Sequence, residues 1–286
     1  MESRRRRKIE GVEPSDKAER FYRAQLASLV RLMAKELAEE INPALKRLKS
    51  EYIGDSWSDD IVSIIRRVSE RFTTSLFQAQ AERIARRTLS MADADNAADF
   101  LRSVNAAVGI QFPRSSKLDA YLDAALNENV ALIRDVSDEY FRKVERLVLD
   151  NMRAGFTPTK IAKDIQAQTG STYKRAKLIA RDQMAKLNSD LSRQRQADAG
   201  VEFYRSSHSN DSRVSGKPGG KYPNAKISCY AIANRDIGYG KGVYRLDKGA
   251  DYAGETGLHP GRHHVNCRCV AIPMIPGVNY FPPSAK

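Results

Sequence analysis

Cysteine, histidine and tryptophan are scarce in this chain, with three, four and one in 286 residues. Three cysteines leave one unpaired in any intramolecular disulfide scheme, and a chain this long can bury a core without staples, so a disulfide scaffold is excluded. No stretch approaches the roughly 18 to 20 uninterrupted apolar residues of a membrane span. No apolar stretch follows the basic N-terminus to make a signal peptide, so we expect synthesis in the cytoplasm, with reduced thiols and no membrane partner. The chain also lacks a Gly-x-Ser-x-Gly elbow, a phosphate-cradling Gly-Lys-Ser/Thr loop, a His-Glu-x-x-His helix and an internal repeat. No catalytic residue is assigned, and we expect no enzyme activity.

What is present is charge, unevenly spread. The net charge is +13. Residues 1–150 hold 26 basic and 25 acidic side chains, whereas residues 151–286 hold 22 and 10. A further basic concentration, Arg4, Arg5, Arg6, Arg7 and Lys8, stands at the N-terminus. Such a field favours polyanions, nucleic acid above all, through counterion release, and the terminal tract is the candidate nucleic-acid arm. Solubility, or an acidic protein surface, would call for the same charge.

Apolar spacing predicts a helical first half. Ser15 to about Leu48 reads as one amphipathic helix capped by Ser15 and interrupted at Asn42-Pro43. A second helix runs from about Ser58 through Leu76 and Ala79, and a third covers Asp93–Val108. Gln111–Ser116 is a loop, and a long helix beyond it stops at Gly155. Thr157-Pro158 opens a short helix that Gly170 ends, and another runs on to Gly200. Beyond Gly200, glycine and proline concentrate and short β-prone runs follow: 201–205, 227–230, 242–246 and 269–275. The expected class is α+β, an extended helical N-terminal half before a compact, loop-rich mixed α/β C-terminal domain. The expected regions are a basic flexible arm (1–14), a helical docking region (15–155) and the C-terminal domain (156–286).

Three of the four histidines and two of the three cysteines fall between His259 and Cys269. Thiolate and imidazole are the side chains zinc prefers, so Cys229, Cys267 and Cys269 with His259, His263 or His264 could form a tetrahedral site. We name Cys229, His264, Cys267 and Cys269 as the candidate ligands of one structural zinc. Buried thiols packed without metal are the competing reading, because free cysteine behaves as a small hydrophobe. We expect an extended strand to turn Cys267 and Cys269 to opposite faces, so that shared ligation requires a bend. His208 and Asp211 could join the later histidines in a metal-dependent nuclease, although Asp and Asn beside Ser in such a stretch more often form turns.

The run Ala180-Arg-Asp-Gln183 with Lys186-Leu-Asn188, then Arg193 to Val201, Tyr204, Asp211-Ser-Arg-Val214 and finally His264-Val-Asn-Cys-Arg-Cys269 resembles the phage Mu F-like minor head proteins, or phage head morphogenesis proteins. The resemblance covers roughly residues 155–280. Where many members place a second arginine and then a histidine, this chain has Ser215-Gly-Lys-Pro-Gly-Gly220. The resemblance implies a structural virion protein of a tailed phage, located inside the head near the portal and made in the host cytoplasm. It also implies partners: the portal protein, the major capsid or scaffolding protein, and packaged double-stranded DNA. Its expected role is head morphogenesis, DNA packaging or DNA delivery, with no appended enzyme domain.

Overall fold

A computed structural model describes residues 9–50, 57–109 and 114–281. The Arg4–Lys8 arm lies outside the described residues, as do residues 111–113 of the loop expected at 111–116. The helices are α1 (Asp16–Ser50), α2 (Trp57–Arg71), α3 (Ser75–Val108), α4 (Ser116–Arg153), α5 (Pro158–Asp198) and α6 (Cys229–Asn234). The strands are β1 (Phe203–Ser207), β2 (Val243–Arg245), β3 (Ala250–Tyr252), β4 (Glu255–Leu258) and β5 (Val270–Met274). The class is α+β, as expected. No described helix is long and apolar enough to cross a membrane.

Two compact units are assembled from interleaved stretches. One comprises Arg20–Leu89 and Ala124–Ala180; the other comprises Met1–Glu19, Ser90–Asp123 and Arg181–Lys286. Their composition redraws the charge map. The first holds 23 basic and 16 acidic residues and the second 25 and 19, so they carry +7 and +6 respectively. The contrast between sequence halves does not survive as a contrast between units, chiefly because residues 151–180, with 6 basic and 1 acidic side chains, belong to the first unit, while residues 90–123, with 3 basic and 5 acidic, belong with the C-terminal stretch.

The first unit is all helix, with apolar faces at helical spacing. Tyr22, Leu26, Val30, Met33, Leu37, Ile41 and Leu45 of α1 are buried. Pro43 lies inside that helix rather than interrupting it; burial of Ala44 and Leu45 beyond it outweighs the hydrogen bond that proline cannot donate. The second helix, by contrast, ends earlier than its spacing suggested. It stops at Arg71, and Thr74 restarts the chain by accepting from the Phe77 amide at 3.3 Å, so Leu76 and Ala79 belong to α3 and Leu76 is 81% exposed. Phe72 in the break packs against Phe77 and Phe141, at ring separations of 5.7 and 5.3 Å. Gly170 does not end a helix either. It lies within α5, whose apolar positions Ile161 and Ala176 are buried on either side of it.

In the second unit β1 is the centre of an antiparallel sheet of order β2-β1-β5, with Tyr204 opposite Tyr244 on one side and Pro273 on the other. Tyr204, Ile232, Tyr244, Leu246 and Ala250 form its core. Three of the expected strands match β1, β2 and β5. The fourth, at 227–230, is instead the start of α6, because the Ser228 hydroxyl caps the helix by accepting from the Ala231 amide at 2.9 Å. The hairpin of β3 and β4 was not anticipated. Its two-residue turn, Ala253-Gly254, takes positive φ at both positions (52° and 82°), and alanine is a poor signal for that conformation.

Candidate metal centre

The C-terminal half of α5 supplies the floor of the site. Its apolar face, Ala180, Met184, Leu187 and Leu191, is buried, but so are the polar residues Asp182, Asn188, Asp190, Ser192 and Arg195. Buried polar groups require partners, and here they have them. Asn96 of α3 donates to Asn188 Oδ1 at 2.7 Å and accepts from Arg195 at 2.7 Å, while Arg195 also pairs with Asp93. Asn188 donates to the carbonyl of Val12 at 2.7 Å. Asp190 accepts from Arg262 Nε at 2.8 Å and from the Tyr121 hydroxyl at 3.0 Å. Asp182 accepts from the Asn266 amide at 2.7 Å and pairs with Lys186 at 2.6 Å. The helix therefore anchors the 259–269 segment at two points, Asp190 and Asp182. Gly261 allows the close approach, since a Cβ there would lie 2.8 Å from the Ala185 carbonyl.

From the Asp182 anchor the chain turns sharply. The Cys267 amide donates to the His264 carbonyl at 3.1 Å, and Asn266 takes φ 59°, a left-handed conformation that asparagine tolerates. Cys267, Arg268 and Cys269 follow before β5 begins. The expectation that this spacing separates the thiols is wrong on strand geometry: residues two apart in an extended chain face the same side. Both thiols accordingly point inward. Arg268 between them points away and grips both carboxylate oxygens of Asp211, at 2.6 and 2.7 Å.

Cys229, the first residue of α6, completes the cluster from the opposite side. One ligand atom from each of Cys229, His263, Cys267 and Cys269 lies within 4.8 Å of every other, and all four residues are buried. Cys229 Sγ lies 3.8 Å from Cys267 Sγ and 3.3 Å from His263 Nδ1. The three cysteines are free thiols. Hydrogen bonds from Cys229 and Cys269 pull the Cys267 thiol well below its ordinary range, while the contact with Cys267 pushes Cys229 up to about 12 and contacts with Cys229 and Cys267 push Cys269 upward. His263 Nε2 is buried with no hydrogen-bond partner among the described residues.

The histidine in this set is His263, not His264. His264 Nδ1 lies 2.9 Å from the Val265 carbonyl and must donate to it, which leaves Nε2 as an acceptor. Nε2 lies 3.1 Å from Ser215 Oγ and 3.2 Å from Cys229 Sγ, and Ser215 Oγ itself accepts from the Cys229 amide at 2.9 Å. Protein groups therefore satisfy both nitrogens of His264. Ser215 is brought in by Gly216, where a Cβ would stand 1.8 Å from Ser228 Oγ. Nothing in the local sequence marked Ser215 for this place.

The remaining histidines have other occupations. His208 stacks on Tyr230 with ring centres 5.7 Å apart and accepts from the Asn210 amide at 3.0 Å. Burial lowers its pKa. His259 stacks against Tyr204 at 5.6 Å, and burial next to Arg193 pushes its pKa down to about 4. Asp211, offered as a nuclease carboxylate, is held far below the usual carboxylate range, first by its hydrogen bonds from Arg268. The cleft bounded by His208, Arg213, Ser215, His264 and Arg268 has a volume of about 20 Å³, room for about one water molecule.

An uncharacterized protein of Haemophilus influenzae is 30% identical over 278 residues, which is 95% of this chain. The chain spans about half (56%) of that relative's length. No solved structure matches the chain significantly. Residues 142–272 match the family model of phage Mu protein F like proteins, a family of phage head proteins, and the matched stretch contains Asp182, Asp211, Cys229 and the whole 259–269 segment. Residues 142–272, somewhat under half of the chain, are thus similar to the phage Mu protein F-like family.

Proposed function

We propose that this protein is a structural minor head protein of a tailed phage, bound at the portal vertex and acting in head morphogenesis, DNA packaging or DNA delivery. The observation that carries this reading is where the family's characteristic residues go. Asp182, Asp211, Asn266 and Arg268 bind one another and hold the chain's shape. Residues 181–286 hold 16 basic against 9 acidic side chains, a balance suited to lying against packaged DNA.

Two measurements test the proposal in a phage-producing strain. Mass spectrometry of gradient-purified particles should find the chain in the virion at low copy number, and pull-down of the portal protein should recover it. Absence from particles together with failure to co-purify with the portal protein would sink the idea. Release of nucleotides from DNA in magnesium or zinc, abolished by His264→Ala, would replace it with a nuclease.

A further inference from the structure

We infer that Cys229, His263, Cys267 and Cys269 bind one zinc ion in a closed structural site that clips α6 to the turn before β5. The argument begins with distances. Bonds of about 2.3 Å to sulfur and about 2.0 Å to nitrogen require tetrahedral edges of about 3.8 Å between two thiolates and about 3.5 Å between thiolate and imidazole. The observed separations are 3.8 Å for Cys229 to Cys267 and 3.3 Å for Cys229 to His263. A thiol–imidazole hydrogen bond alone would give the 3.3 Å contact, but it would not gather four buried ligand atoms, three sulfurs and one nitrogen, within 4.8 Å of one another.

Burial separates a structural ion from a reactive thiol. Cys267 is 0% exposed and Cys229, His263 and Cys269 are at most 6% exposed, so no substrate reaches a Cys–His nucleophile there. Four protein ligands also leave no open coordination position, which is the mark of a structural rather than a catalytic zinc. The surroundings already hold the ligands in place. Ser215 Oγ accepts from the Cys229 amide, Asp182 accepts from the Asn266 amide, and Asp211 holds Arg268 between the two cysteines. Such outer contacts orient metal ligands. His264 belongs to this supporting ring, since Ser215 and the Val265 carbonyl occupy its nitrogens. The fourth ligand is therefore the histidine beside the one that the sequence motif suggests. The inference is independent of the portal and DNA roles.

The test uses the full-length chain with any affinity tag removed. Atomic emission should find one zinc per chain after gel filtration, and replacement by cobalt(II) should give the visible d–d bands of a tetrahedral thiolate site with sulfur-to-metal charge transfer. Cys267→Ser should lower the charge-transfer band at equal cobalt by about a third or more, since two thiolates remain. His263→Gln should weaken zinc binding by roughly tenfold or more, whereas His264→Gln should retain one zinc with at most the smaller loss of a supporting contact. A folded wild-type protein with three freely titrating thiols and no zinc would overturn the inference. So would a Cys229–Cys267 disulfide in freshly purified protein, or zinc that survives His263→Gln but not His264→Gln.

Discussion

The two compact units solve the burial problem in opposite ways. The unit of residues 20–89 and 124–180 is held by apolar helix faces and an aromatic cluster, with its ion pairs, such as Arg66–Glu145, placed where Arg66 is mostly exposed. The unit containing residues 181–281 buries polar side chains and pairs many of them, from Asp93, Asn96 and Arg195 to Asp182 and Asp190. The apolar seam is non-directional and tolerates substitution of similar volume. The polar arrangement requires specific partners at specific distances, and removing one partner leaves another stranded.

That difference predicts a ranking of effects. Phe141→Ala should cost about 3–5 kcal/mol by opening a cavity beside Phe72, read as a lower denaturant midpoint, while Phe141→Leu should recover much of the loss. Arg195→Ala should cost a comparable amount, about 3 kcal/mol, because Asp93 and Asn96 lose a buried partner. Here no apolar residue substituted at Arg195 alone should rescue stability. If Arg195→Met proved as benign as Phe141→Leu, the distinction between the units would fail. Gly216→Ala should cost about 2 kcal/mol by forcing Ser228 away from the cap of α6, and hydrogen exchange should show the loss in peptides around 215–234.

A smaller effect concerns pH. His259 titrates near 4 in the folded chain, against 6.5 ordinarily, beside Arg193, Asp190 and Arg262. As pH falls the unfolded chain takes up the proton first, so this contribution is complete above about 6.5 and is lost as pH falls toward 4. Between pH 7 and 5 the loss should be about 2 kcal/mol, and His259→Gln should flatten that part of the curve. If the variant keeps the full slope, the effect arises elsewhere. Smallest of all, Arg66→Ala should leave the unfolding midpoint unchanged, since an exposed pair is screened by solvent. A clear drop would mean that ion pairs matter in both units.

Much of this architecture was legible in the sequence. The Ser15 cap, the apolar spacing of α1 and α4 and the β-prone runs of β1, β2 and β5 express short-range rules and were found by them. The misses have definite causes. Pro43 and Gly170 were read as breaks because local propensity disfavours them, yet burial on both sides holds each helix intact. Thr74 and Ser228 are caps that β-propensity and spacing concealed. The buried polar face of α5 was not anticipated, because polarity in a sequence does not reveal whether a partner waits across the fold.

The sequence by itself determined the resemblance to the Mu F-like proteins over residues 142–272, the helix-rich first half, and the gathering of thiols and imidazoles near Cys269. These depend on residue type and on neighbours a few positions away. Only the tertiary structure decided that 229 joins 267 and 269, that His263 faces the thiols while His264 faces Ser215, and that Asp182 and Asp211 hold the turn in place. It also decided that the charge contrast between the sequence halves disappears between the units. Each of these facts sets residues far apart in the chain within a few ångströms, and no local spacing rule reaches that far.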